Sequence, residues 1–461
     1  PDVVGAGADK NDVPVRPGES TEHPQSGQPL HDLTGGNAWV SWVLASAVPG
    51  SSNYDSVNDQ LLNQGPAALT LDLTQGVGFD PAALLAGVGR AKQQLLLAAS
   101  IEDLNYDPSS GSLSFRIQNQ TGHKLISGFP EGRRMFINVK AYAGGEMIYE
   151  VNPYDAGAGT LKGLSYTYDP APLRTPCPLG QGYEDGACRS LEYTEAYVDE
   201  QVYEVHPSSL LTGEDETFHF ALATGRYKDN RIPPKGFRIA DAPARLSEPV
   251  WHGAADLGYF TADEYTGGYD AVDLTDYGIE IPGADYVEVT LYYQTTSREY
   301  IEFLRDEING TASTLPETAY IIQSDPFFAQ LEAWGDTIWQ LWDHNRDVPS
   351  AAPFQMAQAS IGVPPQPVVR LTAAEQTVPE SQGTVTVTVE LTVMATVPVT
   401  VPYTVGGTAD GGGVDHDLAD GDFHIPVGSL TADVTFEIVD DVEVEGDETV
   451  VVTLGTPQNA T

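Results

Sequence analysis

The chain of 461 residues is long enough for about two to four domains. Its 22 Lys and Arg against 66 Asp and Glu give a net charge of −44, a balance that repels nucleic acid and anionic membrane and suits divalent cations, basic partners or a salty medium. Hydrophobic residues make up 41% of the chain, enough for ordinary buried cores, yet no run approaches the roughly 20 apolar residues of a membrane span.

Residues 1–35 are rich in Gly, Pro, Asp and Ser with no apolar period. They read as an extended segment ordered by contact and carrying His23 and His31. The chain opens Pro1-Asp2-Val3, without initiator Met or signal peptide, so it reads as a mature chain or a piece of a longer one. From Gly36 to Ser100 the pattern is helical. Trp39, Val40, Val43 and Leu44 recur at helical spacing, and Asp80 caps a second helix with Pro81 at its first position. The stripe of that helix is Leu84, Val88, Ala91, Leu95 and Ala98.

Residues 101–295 read as strands and long loops, with strands predicted at Leu113–Gln118, Arg134–Tyr142, Val198–Val205, Thr217–Leu222 and Tyr286–Tyr293. A long loop, Tyr154 to Ser190, holds both cysteines, Cys177 and Cys188, with a Gly-rich stretch between them. A local disulfide is the natural reading and implies an oxidising compartment; a reduced pair in a cytosolic protein is the alternative. Two thiols without nearby histidines make a poor zinc site. Ser297 opens a short helix with Tyr300, Ile301 and Leu304 inward, and Pro326 begins another with Leu331, Trp334, Ile338 and Leu341 as its stripe.

Residues 346–365 read as a Pro/Ala linker. Beyond it, Val385, Val387, Val389 and Leu391 alternate, as do Val399, Val401, Tyr403 and Val405, then Val434, Phe436 and Ile438, then Val450, Val452 and Leu454. Short strands at regular spacing with turn signals predict a β-sandwich. The expected fold is mainly β with a helical N-terminal segment: an extended loop and helices over 1–100, a β-rich domain with C-terminal helices over 101–345, and a sandwich over 366–461.

Asn119 to Val139, NQTGHKLISGFPEGRRMFINV, joins two of the predicted strands through a Gly- and Pro-rich loop carrying His123. A loop histidine can face a ligand, or merely hydrogen-bond its own backbone. The stretch resembles the region that follows the haem-binding part of bacterial multihaem c-type cytochromes, where Thr-Gly-His-Lys, Gly-Tyr/Phe-Pro-Glu-Gly-Arg-Arg and a strand recur. Three further pieces resemble the same family, in its order: Leu30-His31-Asp32 to Gly35-Gly36-Asn37, Lys228 to Phe237 (KDNRIPPKGF), and Tyr292 to Tyr300 (YYQTTSREY). The chain departs from the family in having no Cys-x-x-Cys-His motif. The resemblance therefore implies haem c attached outside this chain segment, with the helices packing on an upstream haem region. It implies axial ligands in the order His31, His123, His23; surface or core-satisfied histidines are the alternative for each.

The last segment resembles a Calx-beta domain through Val378-Pro379-Glu380-Ser381, Gly407-Thr408-Ala409, Val414-Asp415, Ile438-Val439-Asp440-Asp441 and Glu445-Gly446-Asp447-Glu448-Thr449. The resemblance implies calcium (Ca2+) held by Glu380, Asp415, Asp440, Asp441 and Glu445, since clustered carboxylates repel one another without a cation; a solvated acidic edge is the alternative. Calx-beta domains usually close with one more strand, and Gly455 to Thr461 comes before any such strand. The expectation is continuation beyond Thr461, with a strand from a neighbouring subunit or a bare edge as the other outcomes.

Nothing resembles a Ser-His-Asp elbow, a phosphate loop or an HExxH zinc site. The resemblance implies a secreted, extracellular, cell-surface or periplasmic electron-transfer protein, working with redox partners or neighbouring cytochrome subunits as scaffold and distal haem-ligand donor. The rival is a haem-free, calcium-stabilised structural, filament or adhesion protein, able to form a homopolymer. A haem-using enzyme such as a multihaem reductase is a third.

Overall fold

The computed structural model describes residues 13–16, 19–21, 35–63, 80–126, 132–164, 191–309, 326–393, 395, 397–427, 429–440 and 446–460. It is mainly β, with helices early in the chain and a C-terminal sandwich. Two compact units divide it: residues 1–140, 149–282 and 288–361, and residues 141–148, 283–287 and 362–461. The two strands β1 (Val13–Arg16) and β2 (Glu19–Thr21) pair antiparallel.

In the first unit, α1 (Trp39–Ser46) and α3 (Pro81–Ala98) follow the sequence signals, and a further helix, α2 (Ser56–Asn63), lies between them in the chain. Asp80 accepts a hydrogen bond from the Ala82 N–H at 2.9 Å, with Pro81 behind it, and Val88, Ala91 and Leu95 of the predicted stripe are buried. Trp39 and Val43 of α1 and Leu61 of α2 share a core with Ile301, Leu341 and Trp342. Those last three lie on α5 (Arg298–Asn309) and α6 (Pro326–His344). Asn58 and Asn345 exchange amide hydrogen bonds at 2.8 and 2.7 Å, tying α2 to the end of α6.

A hairpin of β3 (Ala99–Asp107) and β4 (Ser112–Asn119) is joined by β15 (Tyr269–Asp273) in the order β15-β4-β3. A larger sheet runs β17-β16-β5-β6-β9, from β17 (Phe354–Gly362) through β16 (Tyr286–Gln294), β5 (Arg134–Ala143) and β6 (Glu146–Val151) to β9 (Glu195–Ala196). Here β10 (Val202–Tyr203) also pairs with β5. Strand β5 is buried at eight of its ten positions. Its Phe136, Ile137 and Val139 are fully buried, so the strand is covered on both faces. A third sheet runs β11 (Val205–Ser208), β12 (Gly225–Asp229), β13 (Val250–Trp251), β14 (Ala254–Ala255). A small hairpin pairs β7 (Tyr154–Asp155) with β8 (Thr160–Leu161), and α4 (Ala262–Gly267) precedes β15.

Three expectations change. Val198–Val205 is a 3-10 turn at Asp199–Gln201 followed by the two-residue β10 and the start of β11. Thr217–Leu222 ends in a 3-10 turn, because the Thr217 hydroxyl takes the His219 N–H at 2.9 Å and draws the chain out of any ladder. The 346–365 stretch contains a nine-residue strand, β17, paired to β16 at the sheet edge. Cys177 and Cys188 lie outside the described residues.

The second unit holds two three-stranded sheets. One is β18 (Val369–Leu371), β19 (Thr384–Leu391), β22 (Thr431–Glu437); the other is β21 (Gly421–Ile425), β20 (Val399–Gly407), β23 (Val450–Leu454). Val385, Val389, Leu391, Val399, Val401, Tyr403, Phe423, Ile425 and Phe436 form the core between them, as the alternation predicts. After β23, Gln458 exchanges backbone hydrogen bonds with Thr400 at 2.8 and 3.3 Å, so the tail reaches the edge of β20 for one residue.

Candidate functional site

The four stretches that carry the cytochrome resemblance come together in the first unit, and most of their residues serve architecture. Gly36 is glycine because a Cβ there would meet Leu95 and Tyr293 at about 3 Å; its carbonyl accepts from Thr295 Oγ1 at 3.3 Å. Arg134 donates from Nε to Gln294 Oε1 at 2.8 Å and pairs with Glu299 at 3.3 Å, with both ends of the pair nearly buried. Gln294 in turn donates to the Ala351 carbonyl at 2.6 Å. Asn119 Nδ2 donates to the carbonyls of His123, Ile232 and Pro233, and Leu125 pairs with Ile232 through both backbone bonds. Asp229 binds Lys124 at 3.1 Å, Arg226 at 3.0 Å and Arg231 at 2.9 Å with a side chain 1% exposed. Burial alone would raise its carboxyl, but Arg231, Lys124 and Arg226 outweigh that and hold it down at about 2. Burial pulls Lys124 down to about 8, because its one counter-ion is shared with two guanidiniums.

His123 is exposed, as are Gly122 and Gln120 on the same loop. Its Nδ1 lies 3.2 Å from the Lys124 carbonyl and 3.2 Å from Thr121 Oγ1. The Thr121 hydroxyl proton is already committed to Asn119 Oδ1 or the His123 carbonyl, at 2.7 and 2.9 Å. A carbonyl only accepts, so the Lys124 contact assigns the hydrogen to Nδ1. That is the tautomer in which a histidine ligates iron, with the second nitrogen anchored to backbone. His31 and His23 lie outside the described residues.

Beside this loop runs a groove of about 390 Å3 bordered by Gly122, Lys235, Phe237, Arg238 and Arg245. The backbone of its rim is pinned: Gly236 and Phe237 N–H groups donate to Thr266 and Tyr265 carbonyls at 2.9 and 3.1 Å. Gly268 at φ +70° leaves the room that lets Lys235 approach. Sequence reading included Lys235 within its motif but missed Arg238 and Arg245, since only the fold brings them to Gly122. His206 is a buried histidine held on both sides: Glu204 lies 2.9 Å from Nε2 and Glu216 2.8 Å from Nδ1, all buried, with Lys228 3.1 Å from Glu204.

In the second unit, Glu448 sits against Asp415, with Asp410 and Glu380 nearby; partial desolvation and then Asp415 raise its carboxyl. Glu380 and Asp415 were expected in such a cluster; Asp410 and Glu448 were not singled out. Asp440 is exposed, and Asp441 and Glu445 lie outside the described residues. Among the described residues, no set of three or more His, Cys, Asp or Glu side chains is gathered closely enough to hold a metal.

The two facing sheets define this unit as a β-sandwich. The Calx-beta domain family matches residues 365–461 of the chain. No curated protein matches it. Among solved structures the chain is similar to a penta-haem cytochrome c552 from Thermochromatium tepidum, at 12% identity and a TM-score of 0.27, over 70% of this chain and 50% of that one. It thus spans half the length of that cytochrome. It is also similar to the CsuC–CsuE chaperone–tip adhesion subunit pre-assembly complex of Acinetobacter baumannii, at 11% identity and a TM-score of 0.14, over 74% of this chain and 91% of that one. At these TM-scores neither likeness defines the fold.

Proposed function

We propose that the chain is the ligand-donating scaffold of an extracellular multihaem c-type cytochrome. In this reading His123 offers Nε2 to a haem c attached outside this chain segment, and His31 and His23 are its further ligand candidates. The observation that supports it is the exposed imidazole of His123, anchored at Nδ1 on the Lys124 carbonyl in a loop that the buried Asn119 side chain holds. A haem contributes a one-electron redox iron when bound. The chain's part is to fix the ring through the Lys124 carbonyl and to hold the loop through Asn119. An absorption spectrum of the native protein tests this. A c-type band is expected, and His123→Ala should convert one low-spin haem to high-spin. Absence of the band would remove the reading, and an unchanged spectrum in the variant would remove His123 from it. A second reading, a haem-free, calcium-stabilised extracellular protein, is favoured by the crowded carboxylates around Glu448 in the Calx-beta domain.

A further inference from the structure

The groove beside Gly122 is a local inversion of charge in a chain of −44. Lys235, Arg238 and Arg245 lie within eleven residues and are exposed. Asp241 lies 4.0 Å from Arg238. Lys235 and Arg245 form no ion pair among the described residues, although Asp and Glu outnumber Lys and Arg threefold in the chain. Phe237 forms the apolar part of the wall, stacked on Tyr265 at 5.7 Å between centroids. The groove starts at the residue preceding His123. A flat apolar body with two carboxylates at one edge matches this lining: the ring packs on Phe237, and the carboxylates meet a guanidinium fork and an ammonium.

We propose that this groove is an anion site that seats the propionate carboxylates of the haem faced by His123, an inference that rests on the haem reading above. His123 then sets the iron's spin state, whereas Lys235, Arg238 and Arg245 set orientation and affinity without touching iron. Three exposed cations, each worth little alone, change affinity together by about tenfold.

The test titrates this chain with a haem c peptide that has one open axial position, as the free acid and as the propionate methyl ester. The free acid should give a saturable low-spin spectrum. The ester should bind about tenfold more weakly, and a Lys235→Glu, Arg238→Glu, Arg245→Glu variant should lose the same factor and no longer distinguish acid from ester. Its circular dichroism and thermal midpoint should stay near wild type, and Arg245→Gln alone should show an intermediate loss. If His123→Ala abolishes the low-spin form but ester and groove variant bind like wild type, the groove inference is overturned and the ligand reading stands. If the wild-type chain gives no low-spin form at all, both fall. If polyglutamate displaces the haem peptide and the ester binds as well as the acid, the groove belongs to an acidic polypeptide instead.

Discussion

Asp229 shows how a single carboxylate can organise a motif. It lies in the KDNRIPPKG stretch, and of its partners Arg226 is in the same strand β12, Arg231 is two residues past it and Lys124 is on a loop 105 residues earlier. With its pKa lowered from 3.8 to about 2, the group contributes stability that is complete above the ordinary carboxylate value and is lost as pH falls from about 4 to 2. That contribution is about 2 kcal/mol. Asp229→Asn leaves three cations around a neutral amide in a nearly closed site and should cost about 3–5 kcal/mol at pH 7. Urea unfolding as a function of pH checks both statements. The variant should be less stable at pH 7 and should lack the acid limb seen in wild type between pH 4 and 2; equal losses at every pH would contradict the assignment. At this scale the sequence was informative about which residues matter and less so about why. His123, Arg134, Asp229, Gln294 and Glu299 all stand in the recognised motifs, but only burial separates the exposed ligand candidate from the four that hold the fold.

Among the elements, those governed by local chemistry were the readable ones. The start of α3 needs a cap at Asp80, a Pro at the first position and a stripe at helical spacing, all contiguous in the chain. Asp80→Ala removes the acceptor for the Ala82 N–H and should destabilise the first unit by about 1 kcal/mol, with Asp80→Asn nearly neutral. Chemical denaturation of the two variants checks this; equal losses would show that charge rather than capping is at work. Strand β17 was unreadable for the opposite reason. Its Gln355, Gln358 and Ser360 are polar, and Pro353, Pro364 and Pro365 flank it. Only pairing with β16, whose last residue lies 60 positions upstream of its first, makes it a strand at all. Thr217–Leu222 failed by the same logic in reverse, since a strand-like pattern had no ladder to join.

Across the whole molecule, charge is distributed unevenly. Residues 366–461 carry sixteen Asp and Glu against the single cation Arg370, while the cationic groove and the Asp229 network belong to the first unit. A small sandwich with that excess repels itself, and the repulsion is focused where Glu380, Asp410, Asp415 and Glu448 approach. No three of these carboxylates are gathered closely enough to hold a metal by themselves, so a divalent cation relieving the repulsion would draw much of its shell from water, which calcium's irregular six to eight oxygens allow more readily than magnesium's near-ideal octahedron. The expected outcome is that calcium raises the thermal midpoint of the Calx-beta domain in the intact chain with an apparent affinity of about 10⁻⁴ to 10⁻³ M, as in extracellular modules with few protein ligands. Because Glu448 holds its proton more tightly than an ordinary glutamate, affinity should fall as pH drops into the range where that carboxyl takes up its proton. Asp415→Asn should abolish the calcium effect. It should also raise the midpoint without calcium, since it deletes one of the repelling charges. Calorimetry with and without calcium, on wild type and variant, separates this from a merely solvated acidic edge: if the variant keeps the wild-type calcium response, or magnesium stabilises equally, the cluster is not a calcium site.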